Sequence, residues 1–139
     1  MAVPVLEAIA DAIMRFEGWE PGSRSYRNRN PGNLRLQSPE FARDSDGYNV
    51  FPSFGQGYEE LVRELHEEVA GQNHAGINAN SSLLELFSVY APTADQNQPQ
   101  RYASFVADWL CRVYLRGDIY SRWTFTDIFA AVKQELPHA

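Results

Sequence analysis

Apolar residues recur at helical spacing in five stretches of the chain and lose that spacing in one. Val5, Ile9, Ala12, Ile13 and Phe16 share one face of a 3.6-residue period, and Gly18 followed by Pro21-Gly22 stops the run. The period returns at Tyr58, Leu61, Val62, Leu65 and Val69 and ends at Gly71. Its acids, Glu59, Glu60, Glu64, Glu67 and Glu68, are expected to form a solvated face, so this helix reads as scaffold. Ser82 and Glu85 have capping-box spacing and open a short helix through Phe87 and Tyr90, closed at Ala91-Pro92. Tyr102, Phe105, Val106, Trp109, Leu110 and Val113 predict the most apolar helix, central to the core. Thr124 with Asp127 caps a last helix carrying Ile128, Phe129, Val132 and Leu136.

Residues 20–55 are instead rich in Gly, Pro, Asn and Ser. Asn30-Pro31-Gly32-Asn33 predicts one turn and Asp46-Gly47 a second, with the runs Asn33–Leu36 and Tyr48–Phe51 as the arms of a small hairpin. Neither repeat nor linker divides the sequence, so residues 1–139 read as one domain. Five helices with a small β element after the first make an α+β fold, mainly α.

With 44% hydrophobic and 22% charged residues, the composition fits a compact domain. Glu7 and Asp11 interrupt the apolar start and no positive segment precedes it, which excludes a secretory signal and predicts synthesis in the cytoplasm. No run is long and uncharged enough to span a bilayer. The single Cys111, beside Trp109, Leu110 and Val113, is expected to be a buried, inert thiol. His66, His74 and His138 lack zinc-ligand spacing, so neither metal nor cofactor is implied.

A net charge of −6 argues against nucleic acid as a partner. The charge is uneven, because residues 24–43 carry five arginines against the single acid Glu40. A guanidinium fork suits carboxylates and glycans, although a solvated loop can carry the same charges.

Glu17 lies four residues after Ile13 and eight after Ile9, which puts a carboxyl on the apolar stripe at the last turn of the first helix. An apolar setting works against the charged form of a carboxyl, and glycosidic cleavage needs an acid that still holds a proton for the leaving oxygen. The competing reading is a helix-end acid paired with Arg15 or with an arginine of the following loop.

Phe16-Glu17-Gly18-Trp19, the string Ser25 to Arg35 with Asn30-Pro31-Gly32-Asn33-Leu34-Arg35 at its heart, Gly47 to Phe51 with Gly57, and then Tyr90-Ala91-Pro92, Asn97 and Tyr102 resemble the lysozyme-like domains of phage and bacterial cell-wall lysis proteins. The resemblance spans roughly residues 9–106. It implies a lysozyme-like fold in which Glu17 is the general acid of a peptidoglycan glycosidase, cutting between N-acetylmuramic acid and N-acetylglucosamine as a muramidase or a lytic transglycosylase. Tyr26, Arg27, Asn30, Asn33, Arg35, Tyr48, Tyr90, Asn97 and Tyr102 are then expected to bind the glycan, with Trp19 a further cleft candidate.

The family's patterns are not fully met. Gly18 stands where lytic transglycosylases carry serine, and the second acid of phage lysozymes has no counterpart close behind Glu17. Asp44 and Asp46 are the candidates for that role. Without a second carboxylate, the N-acetyl group of the substrate would support the cation and yield an anhydro product. The expected protein is a monomer that reaches the wall after holin-type or machine-dependent release. The alternative is a catalytically silent glycan-binding or structural module of a phage or secretion apparatus.

Overall fold

The computed structural model describes residues 2–90 and 98–138. Within them the chain forms α1 (Val5–Phe16), α2 (Arg24–Arg27), β1 (Ala42–Arg43), β2 (Asn49–Val50), α3 (Phe54–Val69), α4 (Leu83–Tyr90), α5 (Pro99–Val113) and α6 (Phe125–Ala131). The fold is α+β and mainly α, as the hydrophobic period predicts. Among the described residues, no helix is long and apolar enough to cross a membrane.

Helix α5 packs against α4 and α1, and α1 packs against α3. Ile9 and Ile13, Leu61 and Leu65, Leu86 and Phe87, and Tyr102, Val106 and Leu110 meet in the core, each at most 1% exposed. Both expected capping boxes form. Ser82 Oγ accepts from Glu85 N at 3.1 Å while Glu85 Oε1 accepts from Ser82 N at 3.0 Å, and Thr124 and Asp127 do the same at 3.1 Å each.

Several expectations are corrected. The region after α1 holds a sixth helix, α2, opened by Ser23 Oγ accepting from Tyr26 N at 3.2 Å; four residues are too few to display a period. Helix α3 starts at Phe54, a turn before its apolar stripe, capped by Ser53. The hairpin pairs Ala42 with Val50 and Arg43 with Asn49, so residues 33–36 are not an arm of it. They lie alongside, held by Asn49, whose N donates to Leu34 O at 2.9 Å and whose amide bonds Leu36 N at 2.6 Å and Leu36 O at 3.1 Å. Phe105, expected in the core, is 37% exposed at the rim of α5. Cys111 is partly buried, its Sγ 3.5 Å from Ile119 O.

Candidate functional site

The last helical carbonyls of α1 aim Glu17. It is the C-cap residue, its N donating to Ile13 O at 2.9 Å, and Gly18 at φ +77° turns the chain away immediately after it. Both carboxylate oxygens are held. Asn33 Nδ2 donates to Oε1 at 3.0 Å and the Tyr102 hydroxyl donates to Oε2 at 2.7 Å. The setting is thus half-buried with two donors, not the purely apolar stripe that helical spacing suggests. Arg15, the alternative ion-pair partner, stacks its guanidinium 4.2 Å over the Trp109 ring.

Tyr102 is itself locked in place, with its ring stacked 4.0 Å from Phe16 and 4.3 Å from Phe87. Burial, and then the charges around Tyr90 and Glu17, push its phenol far above the usual range, so it keeps its proton and remains a donor.

The loop between α2 and β1 forms one wall of a cleft of about 330 Å³. Asn30 is fully buried at its base; Nδ2 donates to Leu34 O and Asn49 O, both at 3.0 Å, and Oδ1 accepts from Leu34 N at 2.9 Å. Asn33 takes φ +48°, a left-handed conformation asparagine tolerates, and this swings its amide toward Glu17. The Tyr90 hydroxyl donates to Gly32 O at 2.6 Å, tying α4 to the loop. A Cβ at Gly32 would lie 2.6 Å from that hydroxyl and 2.7 Å from Leu61 Cδ1, so any larger residue would have to displace the Tyr90 or Leu61 side chain. At the outer end, Arg35 donates to the Tyr48 hydroxyl and lies 4.1 Å over its ring, with Arg24 also over that ring at 4.3 Å.

The opposite wall is helical, built from Leu86, Val89 and Tyr90 of α4 and, against expectation, Glu64 and Glu68 of α3. Glu68 is buried and Glu64 half-buried, and Glu60 is buried beside Arg63 at 3.5 Å, so only part of the acidic run faces solvent. The sequence signal is their position. Glu60, Glu64 and Glu68 each precede an apolar residue, Leu61, Leu65 and Val69, and so border the stripe instead of opposing it.

Of the predicted site residues, Glu17, Asn33, Arg35, Tyr48 and Tyr90 line this cleft, and Tyr102 supports it from behind. Asn30 braces the turn, with its amide committed to backbone. Asp44 and Asp46 do not line the cleft, because they serve the hairpin turn. The Asn28 amide at 2.9 Å, with backbone N–H groups of Tyr48 and Asp46 and the Arg24 charge, holds the Asp44 carboxyl below the usual range, while Asp46 pairs with Arg24 at 2.8 Å. Tyr26 and Trp19 pack on each other at 5.0 Å, outside the cleft lining, and Arg27 is exposed there too. Asn97 and Ala91-Pro92 lie outside the described residues. No protein-family model, curated protein or solved structure matches the chain.

Proposed function

We propose that this protein is a peptidoglycan glycosidase with Glu17 as general acid, cleaving the β-1,4 bond between N-acetylmuramic acid and N-acetylglucosamine. The observation that carries the reading is the grip on Glu17, a carboxyl on the wall of a sugar-sized cleft with a buried phenol on one oxygen and a loop amide on the other. As the glycosidic bond breaks, the leaving oxygen takes the proton from Glu17. The Tyr102 hydroxyl and Asn33 amide are placed to receive the negative charge left behind, a stabilisation worth most when the donors are fixed beforehand. The protein acts as a monomer on the wall after release through a holin-type pore or a delivery machine.

The test is mass spectrometry of purified peptidoglycan after incubation. The parent protein should release muropeptides, and Glu17→Gln should lower the rate by about 10²–10⁴ while melting like the parent. An inert parent protein that still sediments with peptidoglycan would replace this reading with that of a silent glycan-binding module.

A further inference from the structure

Two acids on α3 stand where a merely solvated helix face would not hold them. Glu64 and Glu68, one turn apart, line the same cleft as Glu17. Glu68 is 8% exposed, and its Oε2 is shut off from solvent without a hydrogen-bond partner among the described residues. A carboxyl oxygen so placed is costly unless the group holds a proton or meets a ligand.

Burial, then the charge of Glu64, a hydrogen bond to it and the charge of Glu67 push the Glu68 carboxyl up to about 7. Burial likewise raises Glu64, with Glu67 and Glu60 adding to the shift and the bond from Glu68 opposing it. Both carboxyls are thus biased toward holding a proton, and Glu64, the more exposed of the pair, presents the more open carboxyl to the cleft. From α4, the Tyr90 phenol lies within the fields of both Glu17 and Glu64, and from the loop Arg35 closes the same cleft.

Resting on the glycosidase reading above, we propose that Glu64 is the second carboxylate of the site, the base that activates water, and that Glu68 is the positioning residue that orients it. Water loses a proton to Glu64 and its oxygen bonds to the anomeric carbon. The bond from that carbon to the leaving oxygen breaks with its electron pair on oxygen, which takes the proton of Glu17. Solvent returns the proton from Glu64 to Glu17 between turnovers, so no further reactant enters. The product is a reducing sugar of inverted configuration. Without such a base, attack by the substrate's own hydroxyl would give an anhydro sugar instead.

The experiment digests purified peptidoglycan with the full chain and separates reducing-end from anhydro products. The parent should give reducing ends. Glu64→Ala should lose at least about 10²-fold in rate, and sodium azide, a nucleophile that needs no base, should restore turnover as a glycosyl azide. Glu64→Gln should lose as much with its fold intact by circular dichroism. Glu68→Gln, which cannot titrate, should lower the rate severalfold and abolish the change in parent rate near pH 7, whereas a pH profile identical to the parent's would remove Glu68 from the positioning of the base. Anhydro products from the parent, or full-rate hydrolysis by Glu64→Ala, would overturn the assignment of the base while leaving Glu17 standing. A parent that cleaves nothing would remove the glycosidase reading itself.

Discussion

On the loop side of the cleft, polar side chains hold the backbone, whereas on the helical side apolar side chains hold the helices and leave a few acids at the rim. Asn28, Asn30 and Asn49 are each at most 4% exposed, in a stretch with almost no apolar period, and each bonds a distant partner. Across the cleft, Ile13, Leu65, Leu86 and Leu110 are fully packed and exchange no side-chain hydrogen bonds. Polar bracing is directional, so it can fix a turn such as Asn30–Asn33 to within a hydrogen-bond length; apolar packing fixes a helix and leaves its rim free for chemistry.

The comparison breaks most sharply at Asn30. Asn30→Ala removes three hydrogen bonds, from Leu34 N and to Leu34 O and Asn49 O, of which Leu34 O keeps a second partner in Asn49 N; at about 1 kcal/mol per bond the loss is about 3 kcal/mol, or roughly 10 °C in Tm. Ile13→Val on the apolar side should cost only about 1 kcal/mol. Equal losses in thermal melts would mean that the loop is not held by its polar network. At the point where the walls meet, Tyr102→Phe keeps the ring stack and deletes only the hydroxyl on Glu17. Its rate should fall roughly 10²- to 10³-fold, the loss typical of removing one fixed donor at the reacting group, while the stacked ring keeps the variant folded. An unchanged kcat would separate the phenol from the chemistry.

The smallest effect falls on α3. Because the folded Glu68 carboxyl is raised to about 7, it holds its proton at pH values where the unfolded chain has released it. Stability from this group is therefore full at low pH and fades as pH rises through 7. Glutamine does not titrate, so the Tm of Glu68→Gln relative to the parent should move upward between pH 5 and pH 8. A constant difference would place that carboxyl in solvent.

Helices were legible wherever an apolar stripe ran for three turns or more, as along α1, α3 and α5. Capping boxes marked the starts of α4 and α6 because both partners lie within four residues. The loop was harder, since the register of residues 33–36 depends on one asparagine side chain, and the alternation of apolar residues carries no trace of it. Helical arithmetic placed Glu17, but its meeting with Tyr102, 85 residues away, is a tertiary fact. Dividing a helix into a dry face and a wet face leaves no category for Glu64 and Glu68 at the border, and here the border is the cleft. Asp44 and Asp46 looked chemical and instead serve the ordinary turn chemistry of aspartate before glycine.

Gly57, in the first turn of α3, faces the backbone of the loop directly, since any Cβ there would run into the carbonyl oxygen of Arg29, with Pro31 Cδ at 3.0 Å and Phe51 Cδ2 at 3.1 Å beyond it. Gly55, two residues earlier, meets nothing nearer than Ser53 Oγ at 3.9 Å. One position thus has a one-letter alphabet and its near neighbour an almost open one. Exposed positions of α3 can take many residues, but where helix and loop touch backbone to backbone no side chain exists to absorb a change. The spacing between the two walls is inherited through that contact, and divergence elsewhere has to proceed around it.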